Sequence, residues 1–390
     1  MAAGNLLDVA LNEDRNITVF SGYCKRVRFR KSNCRSCLEV CPENAISLHP
    51  GPTINSGCSD CGLCQNACPT EVFQNELSTD RHLLNQARSF LGKDQPPGER
   101  KRLFIHCHLA ESQNNGSLLV PCLGRITENI ILGAAVSGFD EVKLTKGTCS
   151  GCRMKQGEEL LTYAITTSRV LLERLGLGRF SISVEEREKK KGKEEVLSRR
   201  DIFSKTSKKV KDKATSFLYH KEKAIRENVQ EILGNKRETG KGKRRSPRRE
   251  FLRKLLKTKE ESDVIVAQNK QEFPWKKMEI DEKRCSACGT CQALCPTGAI
   301  SKKWEQGRQL ACFNSSSCTN CLLCKEACPE QAIEFEGEFS LADLLEDEEK
   351  IVARVDLTSC FLCGEEITVG ESKLCPTCRK RQVQPMHIKV

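Results

Sequence analysis

Three stretches of the 390-residue sequence place four cysteines at one spacing, C-x2-C-x2-C-x3-C-P. They are Cys58, Cys61, Cys64 and Cys68; Cys285, Cys288, Cys291 and Cys295; and Cys318, Cys321, Cys324 and Cys328. A fourth phrase ends in "CPENAI" (41–46). It has Cys34, Cys37 and Cys41 in the matching places but Lys31 where the leading thiol is expected. The nearest upstream thiol is Cys24, with "KRVRFRKSN" between. Two residues between cysteines make a tight loop that aims thiolates at one centre and turns backbone N–H groups toward sulfur. Gly62 and Gly289 ease that turn, and the proline redirects the chain away from it. The opening "MAAGNLLDVALNEDRNITVF" has no basic region followed by an apolar core, so export is not expected. Thiols paired this way without export indicate metal ligation in a reducing cytoplasm rather than disulfides.

The repeated run resembles the signature of bacterial two-cluster ferredoxins, α+β proteins of short strands and helices. In that signature the first three thiolates hold one 4Fe-4S cube and the fourth reaches the partner cube. The resemblance implies two modules, roughly 15–78 and 275–338, and four cubes. The implied ligand sets are Cys24, Cys34, Cys37 and Cys68; Cys58, Cys61, Cys64 and Cys41; Cys285, Cys288, Cys291 and Cys328; and Cys318, Cys321, Cys324 and Cys295. Cys24 is read as a displaced ligand with the intervening segment looped out. A three-ligand 3Fe-4S site with Cys24 free is the alternative. The short apolar segment after each proline suits a strand covering the cube. Paired cubes form an electron path, which is favoured over a purely structural stapling role.

The texture changes at 100–184. "RLFIHC", "SLLVPC", "EVKLTK" and "RFSISV" read as short apolar strands, with helical patterns at 126–136 and 158–175. Strands alternating with helices predict a central parallel α/β sheet. Cys107 and Cys122 fall at or just beyond strand ends, and Cys149 and Cys152 follow a third strand, at the edge where ligands bind in such sheets. Four thiols there suit a 2Fe-2S cluster or structural zinc; spacing does not decide between them. The segment from His106 to Cys152 resembles the iron-sulfur (delta) subunit of methyl-viologen-reducing hydrogenases. The residues carrying the resemblance are Cys107, Cys122 with Gly124 and Arg125, and the Cys149/Cys152 pair. It implies a 2Fe-2S site relaying electrons to a heterodisulfide-reductase type acceptor. His106 and His108 bracket Cys107 but lack the second box of a Rieske-type site.

Lys and Arg exceed Asp and Glu by 12 within 185–263, matching the net charge of +12 for the whole chain. This basic connector carries apolar residues from Ile202 to Ile232 at about 3.5-residue spacing, predicting a one-sided helix. A second helix is expected with Ser246 as N-cap, Pro247 at its first position and Phe251, Leu252, Leu255 and Leu256 on one face. A solvated helical linker is the plainest reading; docking to an acidic redox partner competes with it. Few aromatics and no DNA-reading motif argue against nucleic acid. Finally, Cys360, Cys363, Cys375 and Cys378 form two C-x2-C knuckles within 355–382. They predict a zinc ribbon, with rubredoxin-like iron as the alternative. Of the 25 cysteines only Cys312 falls outside these sets.

With no nucleotide or flavin fingerprint and no nucleophile–base pair, the expected function is electron transfer. The chain reads as a cytoplasmic multi-cluster accessory subunit of an oxidoreductase complex, serving a hydrogenase or formate dehydrogenase type partner. A redox-sensing or assembly factor using the zinc ribbon and basic helices to bind nucleic acid or an apo-enzyme is the alternative. No membrane span is expected, since no apolar run approaches 18 residues.

Overall fold

The computed structural model describes residues 9–11, 17–91, 99–110, 116–187, 243–257, 275–337, 339–369, 373–375 and 378–379. The helix expected over 202–232 lies outside these residues.

The amino-terminal part is built on short strands and single-turn helices. Strand β1 (Val9–Leu11) pairs antiparallel with β2 (Ile17–Phe20). Helices α1 (Lys25–Arg28) and α2 (Ser36–Glu39) follow, then the two-residue strands β3 (Ile46–Ser47) and β4 (Thr53–Ile54) of a small hairpin. Helix α3 (Leu63–Ala67) leads to β5 (Phe73–Asn75), which closes back on β2 with Ile17 opposite Asn75. Ile17, Val19, Val72 and Phe73 are buried by this pairing, as β-branched and aromatic residues on a pleated face should be. Helix α4 (Asp80–Arg88) is capped by Thr79, whose Oγ1 accepts from the His82 N–H at 3.2 Å. Its Leu83, Leu84 and Ala87 are buried.

A four-stranded parallel sheet comes next: β6 (Arg102–Cys107), β7 (Ser117–Val120), β8 (Glu141–Lys146) and β9 (Ser181–Glu186), in spatial order β7-β6-β8-β9. Helix α5 (Glu128–Val136) joins β7 to β8, and α6 (Gly157–Arg174) joins β8 to β9. Leu103, Ile105, Val142 and Leu144 of the central strands are fully buried with Ile130 and Ile131 of α5. Leu83 and Ala87 of α4 belong to the same core, so the first module is fastened to the sheet domain by a shared apolar contact.

Residues 243–257 of the expected basic connector do not form a solvated linker. Helix α7 (Pro247–Lys257) starts where Ser246 and Pro247 predict, with the Ser246 Oγ accepting from the Arg249 N–H at 3.0 Å. Leu252 and Leu256 are buried with Leu171, Leu172, Trp275 and Phe339, and Leu255 is also buried. Because its apolar stripe has neighbouring elements to pack on, this helix is a strut inside the fold.

The carboxy-terminal part repeats the first theme at larger scale. Strand β10 (Lys277–Ile280), helix α8 (Thr290–Leu294), hairpin β11 (Ile300–Glu305) and β12 (Arg308–Phe313), helix α9 (Leu323–Ala327) and β13 (Ile333–Gly337) follow in order. β10 and β13 pair antiparallel, as β2 and β5 do. Helix α10 (Leu341–Leu345) has a reciprocal capping box between Ser340 and Asp343. Strand β14 (Lys350–Ser359) then pairs with β12 and with β15 (Glu366–Thr368). The cysteine-bearing tail therefore grows out of the second module's own hairpin sheet.

Each complete cysteine run turns through left-handed backbone on both sides of its second thiol: Asp60 and Gly62, Ala287 and Gly289, Asn320 and Leu322. Glycine fills the later position twice, whereas Leu322 sits there at φ 60° with its side chain exposed. A left-handed non-glycine residue costs about 1–2 kcal/mol. Leu322→Gly is expected to stabilise the second module by about 1 kcal/mol, read as a rise of a few degrees in the anaerobic unfolding midpoint.

Candidate metal centres

The cysteines group in space by fours. Cys37, buried on α2, has the thiols of Cys68, Cys24 and Cys34 as its titratable neighbours, and burial followed by these thiols pushes its pKa up to about 12. Cys64, on α3, has Cys61, Cys58 and Cys41 beside it and is likewise pushed well up, first by burial. Cys41, Cys58, Cys61 and Cys64 line one cavity together with Ile46, Ile54 and Phe73. In the second module Cys291 lies beside Cys285, Cys288 and Cys328, and burial raises it to about 11. Cys324 lies beside Cys318, Cys321 and Cys295 and is raised by burial. Cys64 also senses Cys37, and Cys324 senses Cys291, so the two groups in each module adjoin.

Cys24 occupies the position of a leading thiol despite the inserted segment. Its N–H donates to the Ser21 carbonyl at 2.9 Å, as Cys58 does to Asn55 at 3.3 Å and Cys318 to Ser315 at 3.2 Å. A 3-10 turn precedes it, Ser21–Tyr23, just as Ser315–Ser317 precedes Cys318. The insertion itself forms α1 and reaches the second module. Lys25 pairs with Glu326 at 3.1 Å, Ser32 Oγ and the Asn33 N–H donate to the same carboxylate, and Arg28 Nη1 donates to the Leu294 and Cys295 carbonyls at 3.4 Å.

Backbone amides are aimed at sulfur throughout. Ala45 N–H donates to Cys41 Sγ, Val72 to Cys68, Asp60 to Cys58, Asn320 to Cys318 and Ala332 to Cys328, all at 3.3–3.4 Å. Buried thiols with pKa values this high ionise only beside a compensating cation, and donors directed at sulfur stabilise the thiolate once formed. This donor set fits thiolate-bound iron-sulfur cores.

At the sheet domain the thiols meet beyond the carboxyl edge. Cys107 ends β6 and accepts from the Gly147 N–H, Cys122 follows β7 and accepts from Gly124, and Cys152 follows β8 and accepts from Met154, at 3.3–3.4 Å. Burial, with Cys107, Cys152 and Cys149 nearby, raises Cys122 to about 12. The His108 ring nitrogen is 2.5 Å from the Pro121 carbonyl, so that ring is engaged at the strand end. Leu63 and Met154 pack with Cys61, Cys122 and Cys152 in one apolar cluster, which joins this quartet to the second quartet of the first module. The contact depends on small residues: a Cβ on Gly124 would lie 2.5 Å from the Gly157 Cα, and one on Gly157 would lie 2.4 Å from Cys122 Sγ.

A buried polar network, invisible as a motif, locks the parts together beneath these sites. Arg125 is almost wholly buried; its Nη1 donates to Asp80 at 2.9 Å and its Nη2 to the Ser78 carbonyl. Thr127 and Asn129 also donate to Asp80, at 2.8 and 3.0 Å. Burial alone would raise the Asp80 pKa, but Arg125, Arg248 and these donors outweigh it, and the carboxyl is held below its usual range. Arg248 forms a two-pronged pair with Glu128 and donates to Asn66 Oδ1 at 2.9 Å. Its N–H, with the Ser246 hydroxyl, donates to Glu71. Glu71 stands where the other three phrases have the uncharged Asn44, Gly298 and Gln331, and that departure was the available sequence signal.

The tail thiols of Cys360, Cys363, Cys375 and Cys378 all lie within 4.8 Å of one another, with Cys363 and Cys375 sulfurs 3.7 Å apart. A metal with four bonds to sulfur of about 2.3 Å sets a tetrahedral edge of about 3.8 Å. Among the described residues this is the set of four thiols drawn so close. Cys312 is buried in β12 with Lys303 and Glu349 as charged neighbours, apart from the quartets.

Short helices carrying the third thiol of each run, antiparallel strands closing each module and amides turned to sulfur define an iron-sulfur protein of the two-cluster type. Residues 277–329 match the family model of the 4Fe-4S dicluster domain. The chain is 38% identical over 55 residues to a ferredoxin of Methanocaldococcus jannaschii, covering 14% of this chain and 70% of that protein. It is 34% identical over 59 residues to pyruvate synthase subunit PorD of Methanothermobacter marburgensis, 15% of this chain and 64% of that one. With Ferredoxin-1 of Rhodobacter capsulatus the identity is 39% over 44 residues, 11% and 62% of the two chains. The chain thus spans less than two thirds of the last two relatives. It belongs to the ferredoxin family, whose 4Fe-4S centres transfer electrons. No helix among the described residues is long and apolar enough to cross a membrane.

Proposed function

We propose that the chain is a multi-cluster electron-transfer subunit with four 4Fe-4S clusters, one 2Fe-2S cluster and one zinc. The quartets Cys24/34/37/68, Cys58/61/64/41, Cys285/288/291/328 and Cys318/321/324/295 would hold the cubes, and Cys107, Cys122, Cys149 and Cys152 the 2Fe-2S cluster. Bound there, these groups supply one-electron carriers whose potentials depend on hydrogen bonds, charge and exposure. The protein's part is to aim amides at sulfur, to exclude water with Leu63 and Met154 where two quartets adjoin, and to keep the modules in fixed register. A 2Fe-2S assignment is favoured over zinc in the sheet domain because its thiols do not draw together as the tail thiols do. Zinc in the tail would be a closed four-thiolate site, serving folding or docking.

The observation carrying this reading is the contact of the sheet-domain quartet with a ferredoxin quartet through Leu63 and Met154. The resemblance to the hydrogenase delta subunit supports a hydrogenase or formate dehydrogenase type donor and a heterodisulfide-reductase type acceptor. The likeness to a pyruvate synthase subunit supports service within a larger redox enzyme. Anaerobically purified protein is expected to contain about 18 Fe, matching sulfide and about one Zn per chain. Zinc alone, without acid-labile sulfide, would overturn the reading.

A further inference from the structure

The cations of the fold are not spread evenly over the four ferredoxin quartets. Arg28, on the insertion after Cys24, donates to the Cys295 carbonyl and has the Cys295 and Cys321 thiols near it. Arg244 donates its N–H to the Pro296 carbonyl at 3.1 Å and its Nη2 to the Glu71 carbonyl at 3.3 Å. Its guanidinium stacks 4.3 Å from the Phe20 ring and 4.6 Å from Tyr23, with Cys68 nearby. Arg249 lies over Trp275 at 3.6 Å, beside Cys318, and its Nη1 is buried with no hydrogen-bond partner among the described residues. Lys25 also senses Cys321, though Glu326 answers it at 3.1 Å. All of these surround the two quartets that face each other across the joint, Cys24/34/37/68 and Cys295/318/321/324. Outside the joint, Arg125 comes against Gly62 but is answered by Asp80 at 2.9 Å, Lys302 approaches Gly289 from an exposed position, and Cys285 has thiols and the Glu330 side chain beside it.

A cube held by four thiolates is an anion, and reduction adds one electron and no proton. A guanidinium fixed nearby in a low-dielectric setting favours the reduced form. We propose that Arg28, Arg244 and Arg249 are positioning residues that raise the potentials of the two facing quartets above those of the outer two, making the joint the place where electrons reside. This rests on the cluster assignment above.

The test is an EPR-monitored potentiometric titration of the full chain with dithionite as reductant. Arg249→Met should leave iron and sulfide unchanged and lower the midpoint of a joint cube, shifting its electron-sharing equilibrium with the outer cubes about tenfold, or about 59 mV for one electron. Arg249→Lys should retain most of the wild-type midpoint, because charge, not stacking, is the agent. Midpoints unmoved at full iron content, or a lysine variant as low as the methionine one, would overturn the inference. If Arg249→Met loses iron, the half-buried Arg28→Gln decides by the same criterion, an unmoved midpoint refuting the role. A wild-type protein without iron and sulfide would instead refute the cluster assignment itself.

Discussion

Replacing Cys24 by alanine is expected to remove about four iron atoms per chain and one EPR-active cube, while Cys312→Ala leaves the iron content unchanged. Cys24 is buried beside Cys37, and its backbone repeats the turn that introduces Cys58 and Cys318. Nine residues separate it from Cys34, so a spacing rule alone leaves it outside the run. The inserted residues do not hang free; they form α1 and grip Glu326 and the Leu294 and Cys295 carbonyls of the other module. Iron analysis and EPR on the anaerobic variant decide the matter. Unchanged iron would restore the three-ligand site with a free Cys24.

The second large effect concerns Arg248. A residue in a solvated basic linker changes stability by no more than about 0.5 kcal/mol when substituted. Arg248 instead joins Glu128, Asn66 and Glu71, groups from the sheet domain and from the first module. Arg248→Met strands the Glu128 carboxylate, which is buried, and is expected to cost about 3–5 kcal/mol. Pairing it with Glu128→Leu should recover much of that loss, since neither charge is then left alone. Anaerobic guanidinium unfolding, followed by bleaching of the cluster chromophore, measures both. A loss below 1 kcal/mol in the single variant would mean that α7 is not a strut.

The same network gives a pH dependence. The folded-state pKa of Asp80 is depressed, so its contribution is present in full above the ordinary carboxylate value of about 4 and is lost as pH falls through the lower folded value. Glu71 works oppositely: burial raises its pKa despite Ser246, Arg244 and Arg248, so its contribution is full at acid pH and declines as pH rises through the raised value. Asp80→Asn should therefore flatten the acid limb of the stability curve below about pH 4.

Much of the local architecture was legible in the residue string. The strand read at "RLFIHC" is β6, the one at "EVKLTK" is β8, and Ser246 and Pro247 begin α7. These are features of short-range periodicity, capping and turn chemistry, which a few neighbouring residues dictate. The burial of α7 is not legible in the string for a physical reason: a lysine- and arginine-rich helix looks solvated until buried partners such as Glu128 and Glu71 are brought to it from more than a hundred residues away. Likewise, the tail read as a separate ribbon because nothing in the string announces that β14 pairs with β12.

By itself the sequence determined the metal chemistry, because C-x2-C-x2-C-x3-C-P acts through a loop of eleven residues that needs no distant help to aim its thiols. Only the tertiary structure decided which quartets adjoin, through Leu63 and Met154 at one contact and α1 at another, and where Arg28, Arg244 and Arg249 come to rest. Charge and close packing act through space, so residues far apart in the chain set them, and no spacing along the chain encodes that distance.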